Sequence, residues 1–128
     1  MGTIHVSTEH GGILLLTFTG EVADTADIAS FKNDIATVAK SVKNLNLTQG
    51  NKIKVLIDIT NFTATYVSEA VDALVELARE DKELVEKTAV FGGSTKVRVI
   101  GDTIIMLSGR KNIKFFENKT EAVEWLNS

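Results

Sequence analysis

Residues 54–74, KVLIDITNFTATYVSEAVDAL, decide the fold of this chain. They overlap a β-branched run from Ile53 to Ile59, and Leu56 on its second face indicates that both faces are covered, as in a central parallel strand. The pattern predicts that this strand ends near Asp58, and that a turn rich in Thr and Asn leads into a helix from Tyr66 to Leu84. A strand, turn and helix in this order are typical of an α/β protein.

An opening β-hairpin precedes this unit. Thr3 to Thr8 and Ile13 to Thr19 are β-rich runs, and Gly11 and Gly12 between them supply the positive φ angles that a tight hairpin requires. Apolar residues then recur at steps of three and four from Asp24 to Leu45, which predicts an amphipathic helix. The N-terminal half therefore supplies two strands and one helix.

The remaining elements follow from the same rules of spacing. The sequence predicts a polar loop from Asn46 to Asn51, a strand from Thr88 to Phe91, a helix from Ser94 to Gly109, a strand from Ile113 to Phe116, and a last helix begun by Asn118 and Glu121. The charged run from Glu76 to Glu83, which includes Asp81, predicts a solvated helix face. Together these elements predict a mixed, mostly parallel sheet of about five strands, with helices packed against it.

Composition limits the classes of protein that the chain can represent. With 128 residues, of which 44% are hydrophobic, we expect a single domain over residues 1–128. The absence of cysteine excludes disulfides, thiolate nucleophiles and cysteine-based metal sites. The apolar clusters are too short to span a membrane and no secretory signal is recognisable, so we expect a cytoplasmic protein. A net charge of −3 with scattered Lys and Arg argues against a nucleic-acid partner.

Three stretches carry a resemblance to a known family: VLIDITNF (55–62), KTAVFGG (87–93) and IKFFENKTEAVEWL (113–126). They resemble the SpoIIAA-like proteins, whose fold is related to the STAS domains of anti-sigma-factor antagonists and sulfate transporters. The resemblance implies a SpoIIAA/STAS-like fold and a non-enzymatic regulatory or protein-interaction module. It also implies a phosphorylated serine at a helix start. The corresponding segment here, Tyr66-Val67-Ser68-Glu69, lacks the Asp-Ser pair and the helix-start glycine of that pattern. Ser68 is the only serine near enough to the helix start to be the phosphorylated residue.

Polar residues follow two predicted strands at the ends where open α/β sheets bind ligands. The candidate ligand- or partner-binding residues are Asp58, Thr60, Asn61, Thr65 and Ser68 in the first turn, and Gly92, Gly93, Ser94 and Lys96 in the second. If the two strands are neighbours, the turns can share one small anion. In the alternative interpretation Thr65 and Ser94 only cap helices, and the glycines make room for the chain. The Gly-Gly-Ser-Thr-Lys run lacks the spacing of a P-loop.

Catalysis has little support in the sequence. His5 and His10 show no metal-binding spacing, and Asp58 has no histidine or second carboxylate nearby in sequence, so we predict no catalytic residue, metal or cofactor. The leading hypothesis is a protein-interaction module. The alternative is binding of a small ligand such as an anion, a nucleotide or a lipid. An anion is expected at the turn from Gly92 to Lys96, and an acyl chain near Ile104 to Leu107, where apolar residues on several faces suit a pocket. They also suit helix packing or a homodimer surface.

Overall fold

The structure, a computed structural model, describes residues 2–9, 11–22, 27–64 and 67–128. Its elements in chain order are β1 (Thr3–Glu9), β2 (Ile13–Val22), α1 (Ile28–Gln49), β3 (Ile53–Ala64), α2 (Ser68–Glu80), β4 (Val85–Phe91), α3 (Thr95–Ser108), β5 (Ile113–Phe116) and α4 (Lys119–Leu126). This order of strands and helices is the predicted one.

The five strands form one sheet in the order β1-β2-β3-β4-β5. β1 and β2 are antiparallel, whereas β2, β3, β4 and β5 are parallel to one another. The predicted mixed, mostly parallel sheet is therefore confirmed. Each crossover from β2 to β5 moves one strand in the same direction, and right-handed crossovers of this kind place α1, α2 and α3 on one face of the sheet.

Two apolar layers hold the sheet between the helices. The larger layer joins the sheet to α1, α2 and α3, and contains Phe18, Phe31 and Phe62, with ring centroids 5.3 Å apart for Phe18 and Phe62. The smaller layer joins the opposite face to α4. Leu56 lies in this second layer and is fully buried, which confirms that β3 is covered on both faces.

The α4 layer is built around the only tryptophan of the chain. The Trp125 ring lies 5.6 Å from that of Phe116, and the Lys87 Nζ lies 5.1 Å from its centroid and donates to the Trp125 carbonyl oxygen. At the other end of α4, Asn118 Oδ1 accepts a hydrogen bond from the Glu121 amide at 3.0 Å, as the predicted helix start requires.

The predicted end of the central strand is wrong. β3 continues past Asp58 to Ala64, so Thr60 and Asn61 are strand residues rather than turn residues. Two features of the packing explain the difference: Asn61 pairs with Thr19 of an equally extended β2, and Phe62 is buried against Phe18. Burial of this aromatic side chain and continued pairing with β2 outweigh the turn preference of Thr and Asn.

Other boundaries also differ from the prediction. α1 continues to Gln49 and ends where Gly50 adopts φ +73°, so most of the predicted loop from Asn46 to Asn51 is helical. α2 ends at Glu80 rather than Leu84, and β4 begins at Val85 rather than Thr88. The predicted helix starts at Asp24 and Tyr66 lie outside the described residues.

Candidate functional site

The second predicted turn, which follows β4, packs against β3 just past the last residue at which the two strands pair. These strands pair in parallel, with Asp58 opposite Phe91. A Cβ atom added to Gly92 would lie 2.3 Å from Thr60 Oγ1 and 3.0 Å from Thr60 Cα, so the two backbones are in direct contact. Gly92 and Gly93 also have φ angles of +80° and +82°, which L-residues with side chains rarely adopt. The structure thus brings Asp58, Thr60, Gly92 and Gly93 together.

Asp58 serves its own strand in this arrangement. Its half-buried carboxylate accepts a hydrogen bond from the Thr60 amide, with 2.9 Å between Oδ1 and N. By the alternation of the strand it shares the face of Leu56, which is the face covered by α4. Asn61, three residues after Asp58 in the same strand, is exposed to solvent. Asp58 therefore lies on the opposite face of the sheet from α2 and α3.

The helix starts next to this edge differ from each other. Ser94 is the N-cap of α3, and its hydroxyl accepts a hydrogen bond from the Val97 amide at 3.3 Å. Ser68 is the first residue of α2, is exposed, and caps nothing, because the N-cap position belongs to Val67. Lys96 is exposed. Thr65 lies outside the described residues. Ser68 and Lys96 therefore have freely accessible polar groups, whereas the Ser94 hydroxyl caps its helix.

A cavity of about 170 Å³ lies on the other face, between the sheet and helices α1, α2 and α3. Its walls are almost entirely apolar. They include Phe18, Val55, Ile57, Ile59, Phe62 and Val90 from the sheet, Val67, Leu74, Leu77 and Ala78 next to and within α2, and Val97, Ile100, Ile104 and Ile105 from α3. Met106 and Leu107 face away and are exposed by 73% and 45%. The apolar segment Ile104 to Leu107 is thus divided between a cavity wall and the protein surface.

One end of this cavity is polar. Asp81, Thr88 and Arg110 line it, and the two charged residues are only 6% and 7% exposed. Arg110 donates from Nη2 to Thr88 Oγ1 at 2.9 Å and from Nε to Asn112 Oδ1 at 3.0 Å. Within the described part of the chain, neither Asp81 nor Arg110 forms a salt bridge. An acid and a base are therefore buried near each other without direct contact.

Burial governs the ionisation of this pair. Desolvation raises the pKa of Asp81 from 3.8 to about 6; the Arg110 charge opposes this rise, Glu80 adds to it, and Lys43 opposes it. Desolvation also lowers the pKa of Arg110, and the Asp81 charge opposes that change. The Asp81 carboxyl group therefore has a pKa of about 6 instead of 3.8.

The sequence interpretation missed both residues. Asp81 was assigned to a solvated charged face, but it continues the apolar stripe of α2 at helical spacing after Val71, Leu74 and Ala78. An acidic residue in register with an apolar stripe was the signal that could have identified it. Arg110 follows Gly109 directly, and no periodic pattern in the sequence distinguishes it from the exposed Lys111.

Metal and membrane sites find no support in the described residues. No group of three His, Cys, Asp or Glu side chains there could hold a metal ion, and no helix there has both the length and the apolar character needed to cross a membrane.

Comparison with known proteins gives the family. The sequence profile of the SpoIIAA-like family matches residues 13–127. This chain belongs to the SpoIIAA-like family. An uncharacterised DUF3478 protein with a SpoIIAA-like fold from Shewanella loihica is 18% identical, with a TM-score of 0.69 over 98% of this chain and 95% of that one. An anti-sigma factor antagonist from Mycobacterium paratuberculosis is 17% identical, with a TM-score of 0.63 over 100% and 96%. No curated protein matches this chain.

The two structural similarities extend over nearly the whole of each chain and establish a shared fold. They confirm the SpoIIAA-like resemblance that the three sequence stretches indicated, and with it the predicted α/β architecture. At these identities they carry no residue roles from one protein to another.

Proposed function

We propose that this SpoIIAA-like protein is a non-enzymatic regulatory module that binds a protein partner through the edge formed by the ends of β3 and β4 and the starts of α2 and α3. The exposed polar groups at this edge carry the proposal. Ser68, Lys96 and Asn61 are exposed there, and the glycines at 92 and 93 hold the second turn against Thr60.

The fold supports an interaction role because the structurally similar protein from Mycobacterium paratuberculosis is an anti-sigma factor antagonist. A sheet that presents helix starts on one edge offers a partner a polar surface. At the start of α2 this surface carries both signs of charge, because Glu69 lies 3.8 Å from Lys32. Lys96 supplies a positive charge in the first helical turn of α3.

Site-specific photocrosslinking in the source cells tests this function. A photoreactive residue at position 68 or 96 should capture the same protein, whereas the same residue in place of the exposed Thr48, near the far end of α1, should not. Intact mass of the captured complex gives the partner's size, and mass analysis of the free chain reports any phosphate on Ser68. Equal labelling from all three positions, or no specific product from positions 68 and 96, would contradict the proposal.

The cavity favours a second candidate function, the binding of a small apolar ligand beneath α2 and α3. Ligand sites are concave and mainly apolar with a few polar groups that fix orientation, and this cavity has such a composition. A volume of about 170 Å³ exceeds that of an engineered cavity of about 150 Å³ that holds benzene.

Native mass spectrometry of the protein from its own cells tests the second candidate by revealing a retained ligand. Replacing Ala78, which lines the cavity, with Leu should reduce ligand retention because the larger side chain occupies the space. Replacing the exposed Ala36 of α1 with Leu adds the same volume in solvent and serves as the matched control. Identical retention by both variants would exclude the cavity as the binding site.

A further inference from the structure

The polar end of the cavity contains more charge than an apolar ligand requires. Asp81 and Arg110 are both more than nine-tenths buried and both contact the cavity. No described residue donates a hydrogen bond to the Asp81 carboxylate, and no described side-chain oxygen that is sealed from water lacks a partner, so the Asp81 carboxylate oxygens remain within reach of water. The end of the cavity is therefore suited to a ligand that itself carries a polar group.

Arg110 supplies the donors for such a group. Its hydrogen bonds to Thr88 and Asn112 use two of the five N–H donors of a guanidinium group, so three donors remain. The planar arrangement of these donors matches the two oxygens of a carboxylate. Because no carboxylate of the described residues forms a salt bridge with Arg110, this cation lacks a contacting anion.

Asp81 is poorly placed to be that anion. It caps the C-terminal end of α2, where the partial charge of the helix is negative, and its own backbone carbonyl accepts from the amides of Leu84 and Val85. Burial is the largest influence on its pKa, which rises to about 6; of the charged groups around it, Arg110 and Lys43 oppose the rise and Glu80 adds to it. The negative partial charge at the end of α2 and the burial of the side chain both favour the neutral form of Asp81, which can donate a hydrogen bond from its O–H group.

We propose that the cavity binds a medium-chain carboxylic acid, with its carboxylate between Arg110 and Asp81 and its alkyl chain along the apolar walls. The inference rests on the second candidate function. The ligand carboxylate and Arg110 neutralise each other, and Asp81 takes up one proton from solvent and donates a hydrogen bond to the ligand. Scaled from the six carbons of benzene in about 150 Å³, a cavity of about 170 Å³ suits an alkyl chain of about seven carbons, which is the chain that octanoate carries beyond its carboxylate.

A carboxylate is favoured over an alcohol of the same length. Both fill the same apolar volume between Leu74, Ile100 and Ile104, but the alcohol leaves Arg110 without an anion. Octanoate and 1-octanol are therefore a matched pair of probes for the polar end. Because an ordinary carboxylic acid has a pKa of about 4, octanoate stays ionised across the range in which Asp81 titrates.

Isothermal titration calorimetry with these probes tests the inference. At about pH 6 octanoate should bind at least tenfold more tightly than 1-octanol, because charge-assisted hydrogen bonds add to the apolar contact. Between about pH 6 and about pH 8 the affinity for octanoate should fall by more than tenfold, since binding then requires proton uptake by Asp81. The affinity for 1-octanol should stay constant over this range.

Two variants test which residue causes the pH dependence and which causes the preference for octanoate. Asp81→Asn keeps the shape and a donor but does not titrate, so octanoate affinity should become independent of pH. Arg110→Met should weaken octanoate at least tenfold and leave 1-octanol unchanged. If 1-octanol binds as tightly as octanoate at both pH values, the polar-end inference is wrong and the apolar-ligand function stands. If neither probe binds, both are wrong. If Asp81→Asn retains the pH dependence, Asp81 is not the group that takes up the proton.

Discussion

Asparagine in place of Asp81 should stabilise the protein at alkaline pH. The carboxyl group has a pKa of about 6 in the folded chain against 3.8 in the unfolded chain, so folding weakens its ionisation. Its contribution to stability is complete below about pH 3.8 and is lost as the pH rises through about 6. The difference between the two pKa values corresponds to about 3 kcal/mol. Asparagine never ionises and escapes this loss.

Urea unfolding at about pH 4 and about pH 8 measures the effect. Most of the stability that ionisation of Asp81 removes is lost between these two pH values. The free energy of unfolding of Asp81→Asn, relative to that of the wild type, should therefore rise by about 2 kcal/mol from the lower pH to the higher. Asp72 lies in α2 and is exposed, so Asp72→Asn is the matched control for removing a carboxylate that is not buried. An advantage of Asp81→Asn that is equal at both pH values, or a less stable variant at about pH 8, would refute the reasoning.

Three further changes test the packing of the sheet and helices by urea unfolding. Gly92→Ala should cost at least about 1 kcal/mol more than Gly109→Ala: both residues have positive φ, but only Gly92 contacts another backbone, so equal costs would refute that contact. Ser94→Ala should lose about 1 kcal/mol, whereas Ser68→Ala should lose almost nothing, since only Ser94 caps its helix. Leu126→Ala should cost about 2 to 5 kcal/mol because the side chain is fully buried; a loss below about 1 kcal/mol would mean that α4 is loosely packed.

The order of the elements could be predicted because each one has a strong local pattern. The parallel strand β3 is apolar on both faces, the glycines at 11 and 12 separate the first two strands, and Asn118 begins the last helix. Right-handed crossovers then leave few arrangements for the sheet. The fold class and the family therefore followed from sequence alone.

The boundaries and the cavity could not be predicted in the same way. Whether Thr60 and Asn61 turn or continue a strand depends on Phe62, which becomes buried only when Phe18 and Phe31 are brought to it by other elements. Contact between Thr60 and Gly92 likewise depends on the pairing of β3 with β4, which the sequence interpretation left conditional. These are contacts between distant parts of the chain, and the spacing of apolar residues within one segment does not predict them.

The polar end of the cavity shows the same limit. Asp81 and Arg110 are 29 positions apart in sequence and meet only because α2 and the segment before β5 end at the same side of the sheet. A charged run usually lies in solvent, and five of the six charged residues between Glu76 and Glu83 are indeed exposed. Asp81 alone is buried, because it occupies the position where the apolar stripe of α2 continues.

The position of Trp125 gives the protein an optical signal that is confined to one face of the sheet. The indole lies in the α4 layer, with the full thickness of the sheet between it and the cavity. Its emission should therefore report the docking of the last helix and global unfolding, and remain silent when a ligand enters beneath α2 and α3. A change in tryptophan emission on addition of octanoate would mean that occupation of the cavity is transmitted through the strands to the opposite surface.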